Sequence, residues 1–464
     1  MSLSTPESVQ KLRAALHAKA KGSPSCRFYT LYDKVYRADV LTFAYRCCRT
    51  NGGAPGVDEQ DFADIEAYGL KRWLGELAEE LRSKTYRPQA VRRVWTPKPD
   101  GKQRPLGIPT IKDRVVQTAA GLVLGPIPSL RSRTCLEADL PPEQYAYRPE
   151  RSALDAVRKV HALVNTGPTE VVDADLSGYF DSIPHTELMK SVARRISDRH
   201  MLHLLKRWLQ MPVEETDERG HVQRTTRNLV LERSEGKDEH RGTPQGAPVS
   251  PLLSNLYRRR FIVGWKSLGH AKRLKAQIVN YADDFVICCR GTAEEALQVM
   301  RSMMERLKLT VNETKTRVCR LPEETFDFLG YTIGRCYSTK TGKAYLGTRP
   351  SKKRVVRLCR TISEMTTRRW TLLESHDRVA RLNRMLSGWA NYFCLGPVSK
   401  AYRAVDEHAR KRLRQFLRGS GQGLCAKHKI KGQGTSRFPE KYLDRMLGLV
   451  RLQAMTRNFP WANA

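Results

Sequence analysis

Apolar positions along the chain change period several times, and each change predicts an element. Up to about Thr50 they recur at helical spacing behind a polar start, predicting short helices that carry Leu, Tyr and Phe. NGGAPGVDEQ (residues 51–60) interrupts with glycines and a proline, as a loop does. In FADIEAYGLKRWLGELAEELRS (residues 62–83), Ile65, Leu70, Leu74, Leu77 and Leu81 fall on one helical face, which predicts a core-facing helix. YRPQAVRRVWTPKPDGKQRPLGIP (residues 86–109) runs β-prone into a Pro-Asp-Gly turn and out again, a hairpin presenting Lys and Arg. A strand is expected at TEVVDADL (residues 169–176), with helices after Ser152 and after Pro184. Residues 213–241 are dense in charge and poor in large apolar side chains, which reads as a solvated insertion or hairpin. Strands recur in AQIVNYADDFVICCR (residues 276–290) and FDFLGYTI (residues 326–333), with a helix at AEEALQVMRSMMERL (residues 293–307) between them. From about Ser351 the strand pattern fades and helical patterns take over. Strands interleaved with helices and followed by helices alone indicate an α/β or α+β body with a helical C-terminal part.

Charge adds a partner to this outline. The chain of 464 residues carries 82 Lys and Arg against 48 Asp and Glu, a formal net charge of +34. Residues 351–464 alone hold 25 Lys and Arg against 7 Asp and Glu, so about half the excess lies in the last quarter. A field of that sign favours a polyanion, nucleic acid first. No run of about 18 apolar residues could span a bilayer and no secretory leader is evident, so the expected setting is intracellular, cytoplasmic or nucleoid-associated, with no membrane partner. Eleven cysteines occur without a C-x-x-C pair, which argues for reduced thiols and against a four-thiolate zinc site. Cys425 and His428 have half of a zinc spacing with no second half in reach, and zinc is discounted. RGSGQG (residues 418–423) reads as a flexible joint before a small basic tail.

Acidic residues in apolar strands carry the candidate chemistry. Asp283 and Asp284 lie between IVNY and FVICC, and neighbours in a strand face opposite ways, so the pair can share a task only at a hairpin tip. Two like charges in apolar surroundings are unfavourable, and a bound cation relieves them; the bland alternative is an ordinary polar turn. VVDADLSGYFDSIP (residues 171–184) adds Asp173, Asp175 and Asp181 at the end of an apolar strand. Carboxylates from neighbouring strands are a natural way to hold two Mg²⁺ about 3.5–4 Å apart for nucleotidyl transfer.

DLSGYFD, GTPQGAPVSPLLSNL, YADDFV, LKLTVNETKT and FDFLGYTIG, in this order, resemble the palm of reverse transcriptases. GGAPGVD, PKPDGKQRPLGIPTIKDRVVQ and YAYRPERSALDAV resemble the group II intron branch, and LNRMLSGWANYF (residues 382–393) its thumb or maturase region. The resemblance covers roughly residues 50–450 and implies a right-hand polymerase: an N-terminal extension (1–55), fingers and palm (56–345), a helical thumb or maturase domain (346–418) and a small basic tail (419–464). It implies an RNA-directed DNA polymerase that also acts as a maturase, binding its group II intron RNA. The same resemblance implies two Mg²⁺ ions, replaceable by Mn²⁺, and dNTP substrates. Implied partners are an RNA template, a DNA primer, intron RNA in a ribonucleoprotein and target DNA, and a homodimer is compatible with it.

By the same resemblance Asp175, Asp283 and Asp284 are the metal-binding triad, with Asp173 and Asp181 in support. Phe180 lies under the incoming sugar and crowds a 2′-hydroxyl; Lys98 and Arg104 grip the triphosphate; Gln245 lies near the nascent base pair; Lys315 lies near the leaving pyrophosphate. Nucleic-acid contacts are expected from Arg148, Arg151, Arg384, Arg410, Lys411, Arg412, Lys427 and Lys429. No paired Cys-His cluster follows the thumb, so second-strand cleavage is not expected and a primer would come from elsewhere, such as a nascent strand at a replication fork. The alternatives are a stand-alone polymerase of the same type used in DNA repair or phage defence, and an RNA-binding splicing factor with little polymerase activity. A G-D-D hairpin would be usual for an RNA-templated RNA polymerase, and YADD disfavours it.

Overall fold

The computed structural model describes residues 3–97, 101, 103–125, 135–217, 221–225, 240–338, 341–367, 375–419 and 438–455. Lys98, Lys427, Lys429, the Cys425/His428 pair and most of the expected joint after Arg418 lie outside these residues. The chain divides into two compact units, Met1–Ala156 with Val172–Val318, and Val157–Val171 with Cys319–Ala464.

The first unit begins with helices that share its core. Val9, Leu16, Phe28, Val40, Leu41 and Phe43 belong to the same buried core as the palm residues Val172, Phe285 and Ile287. The segment before residue 30 is also sewn down by backbone: Phe28 pairs with Ile196, and the buried Arg195 donates to the carbonyls of Ala20, Ser23, Pro24 and Cys26. The expected long helix over residues 62–83 is two, Phe62–Tyr68 and Leu70–Arg82. Gly69 separates them at φ 105, a conformation few side chains tolerate, and an Asp61/Asp64 capping box starts the first.

The basic hairpin forms as expected from β1 (Val91–Pro97) and β2 (Gln103–Ile108). The charged stretch supplies β3 (Val213–Thr216) and β4 (Val222–Thr225), a second hairpin that joins the first because β3 runs parallel to β1. The result is a four-stranded sheet in the order β2-β1-β3-β4.

A second four-stranded sheet carries the acids. Its strands are β5 (Glu170–Ala174), β6 (Gln277–Tyr281), β7 (Asp284–Cys289) and β8 (Arg317–Arg320), in the order β6-β7-β5-β8. Strand β7 is buried from Phe285 to Cys289, which explains why its apolar run is continuous rather than alternating. Helices Ser250–Ser267 and Ala293–Arg306 contribute Leu253, Phe261, Trp265, Met300 and Met304 to the core.

The second unit has a three-stranded antiparallel sheet, β9 (Phe326–Phe328), β10 (Tyr331–Tyr337) and β11 (Ala344–Pro350). Three helices follow, Lys352–Met365, Ser375–Tyr392 and Ser399–Gly419. Leu382 and Leu386 are fully buried in their core, with Met385 and Trp389 packed against it, so the expected stripe is an internal seam. The described cysteines are free thiols, and no helix among the described residues is long and apolar enough to cross a membrane.

Candidate active site

Asp283 and Asp284 sit at the tip of a tight hairpin. Tyr281 pairs with Asp284, which leaves Ala282 and Asp283 as the loop. Ala282 has φ 56, the left-handed region that favours Gly or Asn and is strained by roughly 1–2 kcal/mol for other residues. The strain is overcome locally by donors: Asn280, buried in β6, gives Nδ2–H bonds to the carbonyls of Ala282 (3.0 Å) and Asp284 (3.3 Å). Arg258, fully buried, reaches the carbonyls of Ala282 and Asp283 at 3.4 Å each.

Asp175 follows the end of β5, and β5 is the neighbour of β7 in the sheet. Its position is fixed by a distant segment: its carbonyl accepts from the Asn312 N–H at 2.9 Å, and Ser177 donates to the Thr310 carbonyl at 2.9 Å. The Asp175 carboxylate accepts from Asn312 Nδ2 (3.3 Å) and from Lys315 Nζ (2.9 Å). Asp175, Asp283 and Asp284 all act electrostatically on the one guanidinium of Arg258, raising its affinity for a proton against the lowering by burial. All three carboxylates are therefore within electrostatic reach of the same buried side chain.

Hard carboxylate oxygens of this kind fit a divalent cation such as Mg²⁺ or Mn²⁺. Among the described residues no three His, Cys, Asp or Glu side chains stand as a ready-made cage, and Asp175 is turned to Lys315 instead. A cation at this place would compete with the Lys315 ammonium for the same oxygen.

The loop GTPQG closes the other side. Thr243 N–H donates to the Phe180 carbonyl (2.7 Å) and Gly242 N–H to the Ile183 carbonyl (2.9 Å). Gln245 donates from Nε2 to Asp181 at 2.6 Å, and its own carbonyl accepts from the Gly107 N–H at 2.7 Å. The loop thus links the Phe180–Asp181 turn to β2. Gly246 makes that approach workable: at φ 111, a Cβ there would lie 2.6 Å from the Gly107 carbonyl oxygen.

The sequence matches the family described as reverse transcriptase (RNA-dependent DNA polymerase) over residues 96–333, and the group II intron maturase-specific domain over residues 355–421. The chain belongs to the group II intron-type reverse transcriptases. It is 33% identical to Protein YkfC of Escherichia coli (strain K12) over 382 residues, 74% of this chain and 93% of that protein. It is 26% identical to the group II intron-encoded protein LtrA of Lactococcus lactis subsp. cremoris over 369 residues, 66% of this chain but only 57% of LtrA. RNA-directed DNA polymerisation and a maturase function follow from membership, and nucleotidyl transfer of this class needs a divalent metal.

The other expected residues of this reverse transcriptase are spread between surface and interior. Arg104 is exposed on β2, and Phe180 is half-buried with its ring edge-on to Tyr179 at 5.7 Å. Arg384 and Lys411 are exposed. Arg148 is not a surface contact: it is buried, paired with Glu137 at 2.9 Å and donating to the carbonyls of Pro141 and Gln144. Arg151 donates to the Pro142 carbonyl at 2.7 Å and lies over the Tyr145 ring. Arg410, only 12% exposed, pairs with Glu440 and Asp444 and holds the C-terminal segment. Arg412 donates to Ser363 and Thr366 at the end of helix Lys352–Met365. Each of these four guanidiniums spends some of its donors inside the fold.

The sequence reading also missed members of the site. Tyr147, at φ 56, is partly buried with its phenol pKa raised by burial and then by Asp283 and Tyr281, while Arg104 opposes the shift. It therefore feels both the acids and β2. Arg93 on β1 has its guanidinium pKa lowered by burial, countered by Asp181 and Glu215. Arg258 did leave a signal: with Phe261, Ile262 and Trp265 it occupies positions i, i+3, i+4 and i+7 of one helix face, so its burial was legible in the spacing.

Proposed function

We propose that the enzyme copies an RNA template into DNA from a DNA primer and dNTPs, with two Mg²⁺ ions held by Asp175, Asp283 and Asp284. The observation that supports this reading is the tight hairpin that carries Asp283 and Asp284 at its tip, beside the strand that ends just before Asp175. Bound metal supplies Lewis acidity, activating the primer 3′-hydroxyl and stabilising the leaving pyrophosphate. The protein's own residues do the rest. Lys315 Nζ, 2.9 Å from Asp175 and largely exposed, is placed to move between that carboxylate and a phosphate. Arg104 on β2, with Lys98 beyond β1, grips the triphosphate by charge-assisted bonds. Phe180 presents its ring to the sugar and excludes a 2′-hydroxyl, and Gln245, braced by Asp181 and Gly107, sets the floor under the new base pair.

Fingers and palm belong to the span before about residue 345, and the thumb to the helical span after it. The partners of that helical span are intron RNA and the template–primer duplex, gripped by phosphate contacts from exposed residues such as Arg384 and Lys411. The same ribonucleoprotein would engage target DNA, and paired copies of the chain are compatible with this role. Primer extension on RNA with dNTPs and Mg²⁺ tests the reading, comparing wild type with Asp175→Asn, Asp283→Asn and Asp284→Asn. Extension should vanish in each variant while RNA affinity stays within about twofold, because only site charge is removed. Full activity in any of the three variants would refute the ligand assignment.

A further inference from the structure

Arg258 is a fully buried charge in the first unit. It lies in helix Ser250–Ser267, is 1% exposed, and sits between two aromatic rings, 4.7 Å from the Tyr179 centroid and 4.7 Å from the Phe285 centroid. Tyr179 opens the short helix Tyr179–Ser182 four residues after Asp175, and Phe285 follows Asp284 in β7, so the rings that hold the guanidinium lie in the chain close to the acids. Its Nη2 reaches the carbonyls of Ala282 and Asp283. Among the described residues its Nη1 meets the Met304 sulfur at 4.0 Å, and its Nε is buried and finds no hydrogen-bond partner.

A buried guanidinium ordinarily has a carboxylate in direct contact, as Arg148 has in Glu137. Among the described residues Arg258 has none within an ion-pair distance. Its charge is offset through space by Asp283, Asp284 and Asp175 and by the faces of two aromatic rings. The arrangement holds a fixed cation near three acids whose carboxylate oxygens it does not itself bond.

We propose that Arg258 is a positioning residue of the polymerase centre: it clamps the strained Ala282–Asp283 turn from below, and its standing charge moderates how strongly the three aspartates attract divalent cations. The proposal rests on the reading of Asp175, Asp283 and Asp284 as metal ligands. The planar fork suits both tasks, because it can lie flat between two rings while donating edge-on to carbonyls, whereas an ammonium keeps the charge and loses the stack. Moderation has a kinetic use. An ion held too tightly between carboxylates is slow to leave with the pyrophosphate after each addition.

The two functions separate in experiment. Direct Mn²⁺ binding to the full chain, read from the free-ion magnetic resonance signal, is measured beside single-nucleotide primer extension and thermal melting. Arg258→Met removes charge and clamp; kcat should fall about 100-fold as the turn shifts, while Mn²⁺ affinity rises on the order of tenfold because three carboxylates lose their internal counter-charge. Arg258→Lys should leave Mn²⁺ affinity within about twofold of wild type while kcat still falls. A purely structural arginine predicts the opposite sign, Mn²⁺ affinity falling together with kcat in both variants, and that result overturns the proposal, as would unchanged values in both. If Arg258→Met does not fold, Arg258→Lys decides alone: retained affinity with lowered kcat supports it, and lost affinity overturns it. Asp284→Asn is the companion control. If it leaves Mn²⁺ binding untouched, the ligand reading fails, independently of how the Arg258 variants behave.

Discussion

Replacing Gly246 by alanine should disable the enzyme out of proportion to the single methyl group added. The new Cβ would lie 2.6 Å from the Gly107 carbonyl oxygen and 3.0 Å from Leu106 Cδ1. A backbone oxygen inside a strand cannot rotate away, so the loop and β2 must part by about 0.8 Å to restore ordinary contact near 3.4 Å. Parting them weakens the 2.7 Å bond from Gly107 N–H to the Gln245 carbonyl, a loss of about 1 kcal/mol, and alanine at φ 111 adds roughly 1–3 kcal/mol of backbone strain. The fold should therefore lose about 2–4 kcal/mol, and Gln245 should move relative to Asp181. A displacement near 1 Å at a positioning residue lowers turnover by about 100-fold. Single-nucleotide incorporation at saturating Mg²⁺ reports the rate, and denaturant unfolding reports the stability. Gly269→Ala is the matched control: its φ is 77, yet a Cβ there meets nothing within 4 Å, so it should lose about 1 kcal/mol of stability and no activity. If Gly246→Ala extends primers like wild type, or Gly269→Ala loses as much activity, the tie between the loop and β2 is not what positions the site.

Asp113 gives a pH test. It is fully buried, accepting from Tyr86 Oη–H at 2.5 Å and from the Gln89 N–H, and burial raises its pKa to about 6. Because the folded value lies above the unfolded 3.8, its contribution is most favourable below about pH 4 and is lost as pH rises through 6, a change of about 3 kcal/mol. Asp113→Asn should accordingly gain stability relative to wild type between pH 4.5 and 7.5 by denaturant midpoint; a pH-independent difference would contradict this. Lys411→Ala should lower the slope of log affinity for RNA against log salt by about 1, whereas Arg410→Ala should leave that slope alone and loosen the C-terminal segment in hydrogen exchange. Phe180→Val should admit ribonucleotides in a competition assay against dNTPs, and unchanged sugar selectivity would remove Phe180 from that role.

What could be read from the sequence depended on how local each signal was. The YADD hairpin, the basic hairpin of β1 and β2 and the buried seam of Leu382 and Leu386 follow from alternation and helical spacing within a dozen residues. The break at Gly69 was visible as a glycine, but helical period on both sides masked it. Charge was the least informative feature taken singly. Nothing adjacent to Arg148, Arg410 or Arg412 announces that Glu137, Glu440 or the Thr366 carbonyl will occupy them, because those partners lie 11, 30 and 46 residues away. The joining of β3 to β1 was hidden for the same reason, since parallel pairing leaves no turn to recognise.

The anchoring of Asp175 bears on when the enzyme comes into being. This residue takes its place only when Asn312 and Lys315 reach it, and Leu176 pairs with Val311 beside it. On a ribosome, the first acid of the proposed triad therefore waits for a stretch made some 140 residues later. A nascent chain lacking residues 310–316 has both halves of its hairpin and still no assembled centre, so synthesis of the protein and onset of its chemistry are separated in time. Contacts of such long sequence separation are slow to form. Refolding should accordingly restore helical signal well before it restores primer extension.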